Sequence, residues 1–261
     1  MLRGKTILIV GGTSGLGLSA ARACQQSGAN LVLVGRNAEK CEAVSGEFGE
    51  TCVVLAADAS DPQTAERAVQ AAVEQFGKLD GLYHVAGGSG RKAGDGPLDA
   101  ISDEGWDFTV RLNLNSLFYS NRAAVRQFLK QGQGGTVLNM GSVLANHPSP
   151  VHFATHTYAA TKAAAEGLTK ACAAYYAKDS IRFNLVAPAL VDTPLAQRAV
   201  NNSTIVNYIR TKQPLDGGRI GMPSDLDQTI LFFLSDASTF VTGQVLAVDG
   251  GWSVSEGQLG T

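Results

Sequence analysis

Two side chains with proton chemistry, Tyr158 and Lys162, lie four residues apart in the alanine-rich segment HTYAATK, His156 to Lys162. Four residues is about one helical turn, so in a helix the phenol and the ammonium stand one above the other and can share a ligand. Taken alone, the pair better suits an amphipathic helix with a surface lysine and a half-buried tyrosine. Other residues must decide its meaning.

A second group lies near the N-terminus, where GGTSGLG, Gly11 to Gly17, follows the apolar run KTILIV and precedes LSAARACQQ. Glycines at Gly11, Gly15 and Gly17 permit a tight turn, let backbone N–H groups approach a phosphate, and aim a helix N-terminus at its charge. The spacing GxxxGxG differs from GxGxxG, but a strand before and a helix after it predict a dinucleotide site.

The elements that must position these groups are legible as a repeat. Short apolar, β-branched runs recur at 5–10, 30–34, 51–57, 79–86, 136–140, 181–187 and 244–248. They lack strict alternation, as strands covered on both faces do, and segments of helical period such as PQTAERAVQAAVEQFG separate them. Strand then helix, repeated, predicts an α/β fold: a doubly wound, Rossmann-type parallel sheet of seven strands with helices on both faces. At 261 residues one domain can hold it, over 1–261, with an irregular excursion at about 190–221 beyond the carboxyl edge, where ligands bind in open α/β sheets.

Composition narrows the function. A formal charge of -2, from 21 basic and 23 acidic residues mixed along the chain, offers no extended field for nucleic acid or an anionic membrane. The four cysteines, Cys24, Cys41, Cys52 and Cys172, lie far apart without metal spacing and read as thiols of a reducing compartment. The N-terminal apolar run is too short for a signal or a membrane span, and a soluble, cytoplasmic protein is expected.

Further motifs fall in order: Asp58 after the third run, HVAG (His84 to Gly87), Asn113 seven residues after Trp106, NMGS (Asn139 to Ser142), APALVDTP (Ala187 to Pro194) and VTGQVLAVDGG near the end. Together with the glycine loop and HTYAATK, they resemble the short-chain dehydrogenase/reductase family, in its single-domain branch, over nearly the whole chain. The resemblance implies hydride transfer between a nicotinamide cofactor and a ketone or secondary alcohol. Tyr158 would be the general acid/base; a phenol of pKa near ~10 needs a nearby cation to favour its anion, and Lys162 is that cation. Lys162 would also hold the nicotinamide ribose, Ser142 would orient the carbonyl, and Asn113 would bend its helix and support a proton relay through water. The implied cofactor contacts are Gly11, Thr13, Ser14, Gly15, Leu16, Gly17, Arg36, Asp58, Ala59, Val85, Ala86, Gly87, Tyr158, Lys162, Pro188, Val191 and Thr193.

The chain departs from the family in places. Ser142 lies farther from the tyrosine than is usual, but it ends a strand, whereas Ser149 sits between prolines and would need its loop to fold back. Val10 replaces a threonine, His84-Val85 replaces two asparagines, and Ala189 replaces a glycine; His84 is expected to brace the core. His147, His152 and His156 crowd one loop without a thiolate or carboxylate beside them, so no metal is expected and one or two of them line the substrate mouth. GGSGRKAGDG, Gly87 to Gly96, reads as flexible cover or a solvated loop, with Arg91 and Lys92 available to an anion.

NADPH is expected over NADH, and reduction is then the expected direction in cells. A carboxylate at the end of the second strand would bind the ribose 2′-OH and repel a 2′-phosphate; here Gly35 leaves room at that point and Arg36 offers a charged planar fork. Two other functions compete: reduction of 3-oxoacyl chains on a carrier protein, and nicotinamide sensing without turnover. Mixed charges after Lys162 (Glu166, Lys170, Lys178, Asp179) argue against the first, and the intact proton-transfer set against the second. A homotetramer is expected, joined through the surface around Ala171 to Ala177 and the C-terminal FVTGQVLAVDGGW.

Overall fold

The computed structural model describes residues 1–257. Successive side chains of a strand point to opposite faces, and here both faces are covered. In β1 (Thr6–Val10), Ile7 and Ile9 join one core with Leu31 and Leu33 of β2 (Asn30–Gly35), while Leu8, Val10, Val32 and Val34 join another. The first core is closed by α1 (Gly15–Gln26), α2 (Ala38–Phe48) and α9 (Asp227–Leu234), which contribute Ala20, Cys24, Val44, Ile230 and Phe233. The second is closed by α3 (Pro62–Phe76), α5 (Ser116–Gln131) and α6 (His156–Tyr176), through Ala68, Ala124, Phe128 and Ala173.

With β3 (Cys52–Ala56), β4 (Gly81–His84), β5 (Gly135–Met140), β6 (Ile181–Pro188) and β7 (Val245–Val248), the described residues form a seven-stranded parallel sheet in the order β3-β2-β1-β4-β5-β6-β7. The order reverses between β1 and β4, which opens a crevice at the carboxyl ends of the strands. The predicted fourth strand, 79–86, proves shorter. Val85 and Ala86 both donate to the Val10 carbonyl, at 2.9 and 2.8 Å, so the chain leaves the ladder at His84.

His84 braces the core as expected. It is buried, with Nδ1 2.8 Å from Ser120 Oγ and Nε2 3.3 Å from Ser116 Oγ on α5, and burial lowers its pKa to about 3, so it stays neutral. After β6 the chain runs out through α7 (Gln197–Val200) and α8 (Ser203–Lys212) and returns by a parallel bridge between Val191 and Gly221. Leu190, Ile205, Ile209 and Trp252 give this excursion a small core of its own with Val143. Among the described residues, no helix is long and apolar enough to cross a membrane.

Candidate active site

At the carboxyl edge, β5 ends at Met140, and Ser142 follows with an extended backbone. The strand end is fixed from both sides: buried Asn139 exchanges hydrogen bonds with Asn121 of α5 (2.9 and 3.0 Å) and donates to Thr169 of α6 at 3.0 Å. Ser142 Oγ accepts from Leu144 N–H at 3.2 Å, which leaves the hydroxyl proton free to point elsewhere. That hydroxyl stands beside the Tyr158 phenol. Burial pushes the phenol above its ordinary pKa, and the Ser142 hydroxyl pulls it partly back. Ser149 is buried in its loop, where its carbonyl accepts from Phe153 N–H.

Tyr158 and Lys162 sit one turn apart in α6, as their spacing predicts. Lys162 Nζ donates to the Met140 carbonyl at 2.8 Å and lies 5.6 Å from the centre of the Tyr158 ring, and burial lowers its own pKa to about 8. Ser142, at the end of β5, also acts on the phenol and lowers it.

Asn113 lies in a π-helical turn, Arg111–Asn115, that joins α4 (Asp103–Val110) to α5, so the helix is interrupted where the sequence predicts. Its side chain is committed to backbone. Oδ1 accepts from Gly88 N–H at 2.9 Å, and Nδ2 donates to the Gly88 and Thr109 carbonyls, each at 2.9 Å. The side chain thus clamps the segment after β4. The clamp adjoins the lysine: a Cβ added to Gly87 would lie 2.6 Å from Asn113 Oδ1 and 3.5 Å from Lys162 Nζ.

The segment 87–96 is a strap, not flexible cover. Gly90 packs so closely on Thr109 that a Cβ would meet its Oγ1 at 1.7 Å, and Asp95 is buried. Asp95 receives the N–H groups of Thr157 and Tyr158 at 3.0 and 2.9 Å. Nothing in the Gly-rich stretch marks Asp95 as different from a solvated acid, so sequence reasoning misses it. Glu166 is a second correction: it is buried and accepts from Asn146 Nδ2 at 2.7 Å, so it is no surface charge.

The predicted nucleotide residues gather along the same edge. A Cβ on Gly17 would lie 2.1 Å from the Gly11 carbonyl oxygen, so only glycine lets α1 start this close to the end of β1; Gly11 itself has φ +96°. Across from Gly15, Thr193 of the excursion approaches within 3.4 Å of where a side chain would begin. At Ser14, α1 opens without a side-chain cap and with no acid in its first turn, a terminus suited to an anion such as a pyrophosphate. Asp58 follows β3 and accepts from Ser60 N–H at 2.8 Å, with Ala59 packed beside the second core. Val85, Ala86 and Gly87 follow β4, while Pro188 ends β6 and leads into Val191.

Gly35 corrects the sequence reading. It leaves no room for an acid, because a Cβ there would meet Thr13 Oγ1 at 2.0 Å. Thr13 fills the space, and Arg36 beyond it is exposed.

Above the edge, three segments meet on Trp252. Its Nε1–H donates to the His147 carbonyl at 3.0 Å, and its ring packs edge-on against Phe153 and Tyr208, 5.8 and 5.9 Å away. His152 packs on Tyr208 at 4.9 Å, while His156 opens α6 with its N–H on the Gly96 carbonyl. The three imidazoles do not converge, and no group of His, Cys, Asp and Glu among the described residues is placed to hold a metal.

Residues 10–253 match the family model described as "Enoyl-(Acyl carrier protein) reductase". The chain is 36% identical to a 2-dehydro-3-deoxy-D-gluconate 5-dehydrogenase from Dickeya dadantii, over 96% of each chain. The structure of a short-chain type dehydrogenase/reductase from Mycobacterium ulcerans superposes with TM-score 0.89 at 30% identity, covering 97% of this chain and 91% of that one. A 3-ketoacyl-(acyl-carrier-protein) reductase from Brucella melitensis, complexed with NADH, superposes at 0.85 with 31% identity, over 97% of this chain and 100% of its own. On fold, site and relatives alike, this chain belongs to the short-chain dehydrogenase/reductase family, an oxidoreductase family that acts on alcohols and ketones with nicotinamide cofactors.

Proposed function

We propose that this chain interconverts a ketone and a secondary alcohol, with Tyr158 transferring the hydroxyl proton and NADP(H) preferred over NAD(H). The meeting of the Ser142 hydroxyl and the Tyr158 phenol at the end of β5, one turn from Lys162, carries the reading. Ser142, its oxygen occupied by Leu144 N–H, turns its proton to the substrate oxygen and orients the carbonyl. Held protonated by burial, Tyr158 gives its proton to that oxygen in reduction and takes it back in oxidation. Lys162 spends one donor on Met140 and keeps two for the nicotinamide ribose and for proton exchange. Asn113 keeps the strap in place beside Lys162.

A bound nicotinamide would supply or accept the hydride. The first turn of α1, with Gly11, Thr13, Ser14, Gly15, Leu16 and Gly17, would hold its pyrophosphate; Asp58 and Ala59 the adenine; Val85, Ala86 and Gly87 the ribose; Pro188, Val191 and Thr193 the nicotinamide side. Preference for NADP(H) rests on Arg36, exposed where a 2′-phosphate would lie, and on Thr13, which fills the place of a competing carboxylate.

A homotetramer accounts for Tyr175 on α6 and Phe240 and Leu246 near β7, apolar side chains left 64%, 104% and 43% exposed. Placement in the reducing cytoplasm rests on four free cysteines, three of them buried. Loss of cofactor absorbance, screened with NADPH and NADH over ketones, sugars, steroids and acyl thioesters, tests the reading. Turnover of none of these would reject it in favour of a nicotinamide sensor. Carrier-bound 3-oxoacyl thioesters remain the second substrate class, because with Glu166 buried, Lys170 on α6 and Lys178 just beyond its end face solvent.

A further inference from the structure

The first turn of a helix has backbone N–H groups with no partner inside the helix. In α6 those donors matter, because Tyr158 is one of the residues that carry them. Thr155, at the N-cap, provides no side-chain acceptor. The strap provides all three: the Gly96 carbonyl takes His156 N–H at 3.1 Å, and the two carboxylate oxygens of Asp95 take Thr157 and Tyr158 N–H at 3.0 and 2.9 Å. Asp95 is 3% exposed, so these bonds form away from water. A charged acceptor at a helix N-terminus is also favoured by the helix dipole and forms stronger bonds than a neutral one.

The strap is fixed at its other end too. Asn113 holds Gly88 by both N–H and carbonyl, and Gly90 and Gly94 pack without space against Thr109, Ser102 and Gly105. One short segment thus spans from the clamp beside Lys162 to the backbone of Tyr158. We propose that Asp95 is a positioning residue for catalysis: its buried carboxylate sets the backbone of Tyr158, and thereby the placement of the phenol against Ser142. The proposal rests on Tyr158 being the proton-transfer group. Displacement by about 1 Å of a group in the reacting geometry costs up to about 10²-fold in rate, so loss of the carboxylate reads out in turnover.

The test compares Asp95→Ala and Asp95→Asn with Asp80→Ala, in the full chain, with a carbonyl substrate found by the screen. Asp80 also holds a backbone N–H, that of Thr6 at 2.7 Å, but at the amino end of the sheet, away from the site. In Asp95→Ala, kcat is expected to fall about 10- to 100-fold, with substrate KM and cofactor dissociation constant within about twofold of wild type. Asp95→Asn, with one acceptor oxygen in place of two, falls between. The alkaline limb of its kcat profile moves, because the phenol shifts relative to Ser142. Asp80→Ala lowers Tm and leaves kcat unchanged. Should Asp95→Ala fail to fold, the Asn variant decides. Wild-type kcat in the foldable Asp95 variants, or losses of kcat that track Tm in all three variants, overturns the proposal. Wild-type protein that turns over no carbonyl or alcohol overturns the functional reading, and the proposal with it.

Discussion

Replacing Lys162 by Met should make the ligand-free protein more stable at neutral pH while it removes turnover. Lys162 is 3% exposed, and burial lowers its pKa from 10.5 to about 8. At about 1.4 kcal/mol per pKa unit, the charged form costs the folded chain roughly 3 kcal/mol relative to the unfolded chain. The folded pKa lies below the unfolded one, so this cost is full below about pH 8, where both states carry the proton. Between about 8 and 10.5 the unfolded lysine binds more protons than the folded one, stability rises with pH, and the cost fades. Methionine fills a similar volume without charge but leaves the Met140 carbonyl without its donor, a loss of about 1 kcal/mol. The net gain is roughly 2 kcal/mol at pH 7, a rise in Tm of about 4–8 °C for a chain of this size. Urea or thermal unfolding of both proteins at equal concentration, at pH 7 and near pH 10.5, measures it. A variant less stable than wild type at pH 7, or an advantage that does not shrink at the higher pH, would refute the reasoning.

Gly17→Ala should abolish cofactor binding in a fluorescence titration, because its methyl group would lie 2.1 Å from the Gly11 carbonyl oxygen and push α1 off the end of β1. Arg36→Ala should lower kcat/KM for NADPH by about 10- to 100-fold, the worth of one or two charged hydrogen bonds, and leave that for NADH nearly unchanged. It is a cleaner probe than an acid at Gly35, which would collide with Thr13. Alcohol oxidation should accelerate with rising pH, since it needs the deprotonated phenol that burial disfavours, while carbonyl reduction stays level through neutral pH. Above about pH 8 the ligand-free protein should lose cofactor affinity as Lys162 gives up its proton, visible in kcat/KM for the cofactor.

What could be read in the sequence was local and periodic. The runs at 5–10 and 30–34 gave two buried faces because alternate residues of a strand point apart, and HTYAATK gave one face because a helix repeats near four. Gly11 to Gly17 stood out because positive φ and close approach admit little but glycine. What could not be read depends on packing between distant segments. Asp95 meets residues some sixty positions away, and its neighbours in the chain are those of any polar loop. Thr13 fills the space over Gly35 across two strands, and Glu166 finds Asn146 across the inserted loop. The Lys162 ammonium was placed on the right face, but its bond to Met140 depends on where β5 ends relative to α6.

The central claim is that Tyr158 moves the proton, and Tyr158→Phe tests it most directly because the ring stays and only the hydroxyl leaves. With a carbonyl substrate from the screen and saturating reduced cofactor, kcat should fall by about 10²- to 10⁴-fold while the cofactor binds as tightly as to wild type. Turnover near the wild-type rate in this variant would contradict the account.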